Sequence, residues 1–369
     1  MLIARSVHPL PGEAERKDRL LALIDLFANR RVLIVGDIIA DEFIYGEVAR
    51  VSREAPVLIL KYDAAEMVAG GVGHAASNIA VLGGRARLAG IVGADPEGRR
   101  LLSALPHGVD RTHIVRARQY RTPVKTRVLA GGIHSAGQQV VRINRETGWP
   151  LAEAVSRAFA ARLSPALGES DGVLLSYYGS GLVTPALADT IRGSLARRSR
   201  RRPVPIVIDS RYQLLHDGGL TMCLANESEV EHVLGVPIDD DVQVLERAGR
   251  DVLRRTRSQA VLVTRGARGL ALFQPKQATV HLPTFGSGEV ANVAGARDTA
   301  VATVTLALAS GASFYEAARL ANYAAGLVAL KRGTATVSAG ELETAVTRDH
   351  DTSLEDWSQE GPQRGRRRS

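Results

Sequence analysis

The stretch RVLIVGDIIADEF, residues 31–43, opens with an unbroken apolar run and reaches an aspartate two residues after that run ends. A short apolar run without alternation marks a strand buried on both faces, the condition of a parallel sheet covered by helices. Working outward, similar runs recur in ARLAGIVGAD (86–95), GVLLSYYG (172–179), VPIVIDS (204–210) and AVLVTRG (260–266). Helical spacing of apolar residues precedes and separates them, in RLLALIDLFANR (19–30), AEAVSRAFAARL (152–163), TPALADTIRGSLARR (184–198) and VQVLERAGRDVLRRT (242–256). Strands alternating with helices predict an α/β core around a mainly parallel sheet covered on both faces. Ligands then bind beyond the carboxyl ends of the strands.

Two segments break the rhythm. EFIYGEVARVSREAPVLILKYD (42–63) and TPVKTRVLAGGIHSAGQQVVRINRE (122–146) alternate, carry β-branched residues and join through glycine-containing connections. They read as antiparallel strands or hairpins, a small inserted β-sheet placed as a lid over the active edge. The expected layout is an N-terminal helical extension over 1–30, a catalytic domain over 31–347 and a disordered basic tail over 348–369.

Composition narrows the function classes. The chain of 369 residues is 45% apolar and 23% charged, ordinary for a soluble protein with a sizeable core. Aromatic residues reach only 4%, which speaks against a base-stacking nucleic-acid surface. No run is apolar enough for a membrane span, and the single cysteine, Cys223, excludes an internal disulfide framework and a multi-cysteine metal site. A reducing cytoplasm is the expected location. The formal charge of +8 is concentrated in ARRSRRRP (196–203) and QRGRRRS (363–369), which read as a solvated loop and tail. The same charge is compatible with a pocket for phosphorylated metabolites.

No P-loop, kinase catalytic-loop signature or HExxH motif occurs, and the nine histidines are scattered. GGVGHAASNIAVLGG (70–84) contains Gly71-x-Gly73-x-x-Ala76 with Asp95 beyond, a loose dinucleotide fingerprint that raises an NAD(P)-dependent oxidoreductase. The segment before it reads as a lid strand, which favours a glycine turn ahead of a packed helix. NVAGARDT (292–299) leads into an apolar helix. The backbone N–H groups of Ala296, Arg297 and Asp298 would lie in its first turn, where free donors and the helix dipole suit a transferring phosphoryl group. Asp298 could accept a proton from an attacking hydroxyl or simply cap the helix; the motif alone leaves both readings open. NESE (226–229) could order water around Mg²⁺ and phosphates, or form a capping arrangement. VTRGARG (263–269) suits backbone approach to a nucleotide, and equally an ordinary hairpin turn.

Taken in order, VGDIIADEFIYG, SREAPV, GGVGHAASNIAVLGG, TRVL, VVRINRE, NESEVE, VTRGARG, GARD and LANYAAGLVALKRGTATVS make the chain resemble ribokinase-like (PfkB-type) carbohydrate kinases over roughly 31–346. It is most similar to the branch that phosphorylates D-glycero-β-D-manno-heptose 7-phosphate. The resemblance implies a three-layer α/β/α core with a β-sheet lid, ATP as phosphate donor and Mg²⁺. It also implies a sugar or sugar-phosphate acceptor and a possible homodimer through the lid. Asp41, Gly71, His74 and Asn78 would line or support the sugar site, and Lys125, Arg127 and Arg142 would meet a sugar phosphate. Asn226 and Glu229 match the Mg²⁺/phosphate motif; Thr264, Gly266 and Gly269 match the nucleotide loop; Asn322 and Gly326 match the adenine side. Gly295, Ala296, Arg297 and Asp298 match the anion hole and base.

The chain departs from the family pattern at several of these places. DVTGAGDT is NVAGARDT here, with Asn292 for an acid, Ala294 for a hydroxyl residue and Arg297 for a glycine. The heptose-branch pattern Ser-Asp-Tyr-x-Lys-Gly reads SYYGSG (176–181), with Tyr177 and Ser180 for a carboxylate and an ammonium. His74 stands where asparagine is usual. These changes raise a second reading, a non-catalytic relative that binds sugar phosphate or nucleotide as a sensor or scaffold. The Arg297 side chain is expected to point out of the cleft, to contact phosphate or to crowd the site until it fails, and Arg297→Gly to be at least as active as the natural chain.

Overall fold

At the centre of the main sheet lies the VLIV run, as β1 (Arg31–Gly36). The structure is a computed structural model that describes residues 13–131, 138–146, 151–179, 181–197, 203–210, 214–215, 218–286, 295–331 and 333–349. Before β1 come α1 (Glu13–Asp25) and a short 3₁₀ turn (Phe27–Asn29). After it, β2 (Ile38–Val51) and β3 (Leu58–Gly71) form a long hairpin that returns into α2 (Val72–Val81). The chain continues through β4 (Arg85–Gly93), α3 (Pro96–Ala104), β5 (Val109–Asp110), β6 (Ile114–Ala117), β7 (Val124–Ala130) and β8 (Gln138–Arg145). Next come α4 (Glu153–Gly168), β9 (Gly172–Tyr177), α5 (Pro185–Ala196), β10 (Ile206–Ser210), β11 (Met222–Asn226), α6 (Glu227–Leu234) and α7 (Val242–Thr256). The last elements are β12 (Ala260–Thr264), β13 (Leu270–Phe273), β14 (Val280–Leu282), α8 (Ala296–Ala309), α9 (Phe314–Ala329) and α10 (Ala339–Arg348).

The main sheet runs β14-β13-β12-β11-β10-β9-β1-β4-β5, with β6 also on β4. It is parallel from β12 to β5, and β13 and β14 add antiparallel strands at one edge. Strand alternation divides its side chains between two apolar layers. Val32, Ile34, Leu174, Val207 and Leu262 face the layer containing residues of α1, α2, α8, α9 and α10. Leu33, Val35, Leu175, Ile208 and Val263 face residues of α4, α5, α6 and α7. The result is the three-layer α/β/α core read from the sequence. Helix α8 is buried from Thr299 to Ala307, and its alanines allow close approach to the alanine-rich α9. This holds the first turn of α8 fixed at the carboxyl end of the sheet.

The second sheet, β3-β2-β7-β8, is the small separate sheet expected as a lid. Its hairpin is longer at both ends than 42–63, because Ile38–Ala40 and Ala69–Gly71 pair at a buried root. Strands β2 and β7 are parallel, where only antiparallel pairing was expected; the intervening α2, β4 and α3 bring β7 back alongside in the same direction. The other departure is β11. Its MCLAN sequence is short and poor in β-branched residues, so it reads as a connection. Among the described residues no helix is long and apolar enough to cross a membrane.

Candidate active site

The first turn of α8 forms the floor of the site. Gly295, its N-cap, has φ 87°, and a Cβ there would lie 2.6 Å from Cε1 of His74, so only glycine fits. No side-chain cap closes this helix end. The N–H groups of Ala296, Arg297 and Asp298, where the anion hole is expected, lie in this uncapped first turn. Thr299 N–H, the next donor, already bonds the Gly295 carbonyl at 2.9 Å.

Asp298 is held on both sides. The Tyr178 hydroxyl donates to Oδ1, and Nδ1 of His74 lies 3.3 Å from Oδ2. His74 is buried, with Nε2 2.9 Å from the carbonyl oxygen of Ala335. Asn78 Nδ2 donates to the His74 carbonyl at 3.1 Å, and Thr299 Oγ1 donates to Asn78 Oδ1 at 3.1 Å. His74 and Asn78, expected to line or support the sugar site, thus support the carboxylate from below. Gly71 has φ 57°, and a Cβ there would meet the Asp37 carbonyl at 2.7 Å. Asp37 accepts the Tyr178 N–H at 2.9 Å, which orients the tyrosine.

The lid supplies the roof by register. Asp41 opposes Lys125, which opposes Asn144; Phe43 opposes Arg127, which opposes Arg142. Opposed residues share a face, so these polar groups converge on one side of the sheet. Arg127 donates to Asp41 Oδ1 at 2.7 Å and lies 5.2 Å from the Phe43 ring centre. Lys125 Nζ stands 5.1 Å from the Tyr178 ring centre, and Arg142 donates to Asn144 Oδ1 at 3.0 Å. A cavity of about 170 Å³ brings together Asp41, Lys125, Arg127 and Arg142 of the lid with Gly71, Gly295, Arg297 and Asp298. A second cavity of about 310 Å³ adjoins it at Lys125 and Tyr178 and includes Asn144, Arg145 and Tyr177.

The Arg297 side chain does not point out of the cleft; it turns to two carboxylates. Its Nε donates to Asp209 Oδ1 at 2.6 Å and its Nη1 to Glu229 Oε1 at 2.5 Å. Burial alone would lower its pKa, but the carboxylates of Asp209 and Glu229 outweigh burial and raise it above the ordinary value. The guanidinium stays charged. Its backbone N–H remains in the first turn of α8.

Asn226 and Glu229 adopt the plainer of their two readings. Asn226 Oδ1 accepts the Glu229 N–H at 2.7 Å, and Glu229 Oε2 accepts the Asn226 N–H at 2.9 Å, a capping box that starts α6. With Glu229 Oε1 held by Arg297, both carboxylate oxygens already have donors, so this pair does not fit a Mg²⁺-organising role. Among the described residues no group of three or more His, Cys, Asp or Glu is placed to hold a metal.

Of the residues expected on the nucleotide side, Thr264, Gly266 and Gly269 lie at the β12–β13 edge, and Asn322 and Gly326 lie on α9. Thr264 ends β12, whose antiparallel pairing with β13 is the hairpin alternative. Gly269 has φ 85° and packs so closely that a Cβ would lie 2.0 Å from the Leu282 carbonyl oxygen; Gly266, at φ 57°, faces open space. Thr284 Oγ1 donates to the Ala267 carbonyl at 2.8 Å, and Asn322 Nδ2 to the Pro283 carbonyl at 2.7 Å. At Gly326 a Cβ would meet the Phe285 carbonyl at 2.3 Å. Asn322 and Gly326 therefore hold the 283–285 segment against α9.

Sequence reasoning missed Tyr178 and Asp209. The SYYGSG motif drew attention to Tyr177, whereas Tyr178 is the tyrosine that meets Asp298. Asp209 was visible as the acid ending VPIVIDS, without a sign of its partner. Asn292, Ala294 and Ser180 lie outside the described residues.

The family description "pfkB family carbohydrate kinase" matches residues 29–339. Similar curated proteins include "Bifunctional protein HldE" of Trichlorobacter lovleyi, 35% identical over 89% of this chain and 65% of that protein. The protein of the same name from Caulobacter vibrioides is 38% identical over 89% and 66%. The chain spans just under two thirds of the length of these relatives. Among solved structures, Arabidopsis thaliana ribokinase complexed with ribose and ATP superposes with a TM-score of 0.68 at 19% identity, covering 87% of this chain and 99% of that one. Escherichia coli phosphofructokinase-2 in complex with fructose-6-phosphate gives a TM-score of 0.67 at 19% identity, covering 86% and 98%. The fold is ribokinase-like.

Proposed function

Because the chain belongs to the pfkB family of carbohydrate kinases, we propose that it transfers the γ-phosphoryl group of ATP to a hydroxyl of a phosphorylated sugar, with heptose 7-phosphate as the leading acceptor. One observation carries the reading: a single cavity is bounded by Asp298 and the open N-terminus of α8 on one side, and by Lys125, Arg127 and Arg142 on the other. Three cations facing an acid suit an acceptor that carries a dianionic ester at one end and a reacting hydroxyl at the other.

In this mechanism Asp298 accepts the hydroxyl proton as the oxygen attacks phosphorus. His74 and Tyr178 fix the carboxylate's orientation, and the acceptor hydroxyl displaces the Tyr178 hydroxyl from Oδ1. The N–H groups of Ala296 and Arg297 meet the charge that develops on the transferring group. Thr264, Gly266 and Gly269 face the nucleotide, and Asn322 and Gly326 shape its base side through the 283–285 segment. Any divalent cation enters with the nucleotide as part of that substrate.

A panel of sugars and sugar phosphates with MgATP tests the proposal, run on the natural chain and on Asp298→Ala. Turnover confined to phosphorylated sugars, and lowered by about 10³-fold in the variant, is the expected result. Tight ligand binding without turnover would indicate the sensor or scaffold reading, and NAD(P) binding would revive the oxidoreductase. The lid arms expose Val48, Val51, Val57, Leu58 and Tyr62, which suits a homodimer through this sheet. Light scattering on the natural chain and Val51→Asp/Tyr62→Lys tests it: a dimer that becomes a monomer is expected.

A further inference from the structure

Asp209 is the penultimate residue of β10 and Glu229 lies in the first turn of α6; their side chains are 1% and 12% exposed. Between them sits the Arg297 guanidinium, 15% exposed, bonded to both. Ser176 Oγ completes the cluster, donating to Asp209 Oδ2 at 3.3 Å.

We infer that Arg297 is a built-in counter-ion that takes the place of a mobile divalent cation between Asp209 and Glu229, so that the protein without nucleotide has no divalent site there. The inference concerns this cluster and stands whether or not the proposed reaction is correct. A buried and a part-buried carboxylate brought this close repel one another and attract a cation. A guanidinium satisfies both with directed hydrogen bonds and cannot leave. A Mg²⁺ ion in the same space would need oxygen ligands at about 2.0–2.1 Å and would stand against a fixed positive charge. The geometry also keeps the two ends of Arg297 apart. The side chain reaches back to the sheet while the N–H stays in the helix turn, so the substitution of glycine leaves the anion hole's donor in place. The relation to the expected metal motif is therefore one of replacement: Glu229 keeps its position and changes its cation.

The test uses the natural chain, Arg297→Gly, Arg297→Lys, Glu229→Gln and Arg297→Gly/Glu229→Gln, all without nucleotide. Mn²⁺ uptake is measured by electron paramagnetic resonance, and thermal unfolding is followed with and without Mn²⁺. The natural chain and Glu229→Gln are expected to take up equal, negligible Mn²⁺, with melting temperatures that Mn²⁺ leaves unchanged. Arg297→Gly is expected to melt lower, to bind Mn²⁺ at least about tenfold more tightly than the natural chain, and to recover stability when Mn²⁺ is added. The gain disappears in Arg297→Gly/Glu229→Gln, and Arg297→Lys behaves as the natural chain. Glu229-dependent Mn²⁺ uptake by the natural chain would overturn the assignment, as would a folded Arg297→Gly that binds no more Mn²⁺ than the natural chain. Should Arg297→Gly fail to fold with or without Mn²⁺, the natural chain against Glu229→Gln decides: equal negligible uptake upholds the assignment and Glu229-dependent uptake refutes it. Neither measurement requires turnover, so an inactive protein can uphold the inference and an active kinase can refute it.

Discussion

Helices α6 and α8 both begin at the carboxyl end of the sheet, and they begin in opposite ways. The first turn of α6 is closed by a reciprocal capping box between Asn226 and Glu229. The first turn of α8 starts from a left-handed glycine with no side-chain cap. Each helix end offers orphan N–H donors. At α6 the chain fills them with its own side chains; at α8 no side chain caps them. An acid in the first turn therefore means different things in the two places: Glu229 serves its own helix, and Asp298 faces the cavity. Arg297 joins the two ends by reaching from α8 to Glu229 and to Asp209.

Breaking that join should have the largest effect on stability. Arg297→Met leaves the buried Asp209 carboxylate without its counter-charge, and chemical denaturation is expected to show a loss of about 3 kcal/mol. Gly295→Ala attacks the open end alone. A methyl group placed 2.6 Å from the His74 ring, on a left-handed backbone, is expected to cost about 2 kcal/mol. It should lower kcat more than it raises KM for the sugar, because it moves the anion-binding turn. Asn226→Ala attacks the closed end. It removes a cap and is expected to cost about 1 kcal/mol, with kcat changed far less than in Gly295→Ala. Equal losses of kcat in those two variants would erase the distinction between the two helix ends.

A third helix sharpens the comparison through pH. Glu341, in the capping box of α10, accepts a bond from Lys331 and from the backbone and hydroxyl of Ser338, which bring its pKa from the ordinary 4.5 down to about 2. A carboxylate with a lowered folded-state pKa stabilises the fold above its unfolded value and loses that contribution as pH falls towards the folded one. Glu341→Gln should thus be less stable than the natural chain near neutrality, with the gap closing between about pH 4.5 and pH 2. Glu341 is 44% exposed, so solvent screening keeps the gap below about 1 kcal/mol. Melting curves across that range check both sign and size.

Local chemistry was legible in the sequence, and long-range partnership was not. The runs at β1, β4, β9, β10 and β12 announce themselves because burial on both faces demands continuous apolar residues. β11 does not, since Met222, Cys223 and Ala225 give little strand signal. Asp298 could be placed at a helix start from NVAGARDT alone, but its hydrogen bond to Tyr178 spans 120 residues. Arg297 reaches partners 88 and 68 residues away, so no local stretch of sequence points to them. The lid cations were named by resemblance; their shared face comes from strand registers that no single segment encodes. NESE shows the converse: its short-range capping pattern is formed as the four residues alone suggest.

The root of the lid deserves a mechanical reading. The chain leaves the central strand at Asp37 and returns at Gly71, and the first rung of the hairpin is Ile38 against Gly71. Lid and core are therefore joined at a fulcrum one residue long on the outgoing side. The carboxylate of Asp37 grips the backbone of Tyr178, whose hydroxyl holds Asp298. A swing of the long arm about this fulcrum would pull on the same residue that orients Tyr178 towards Asp298. On the proposed reaction, closure of this sheet and release of the acid would then be parts of one lever, with the acceptor's arrival as the load.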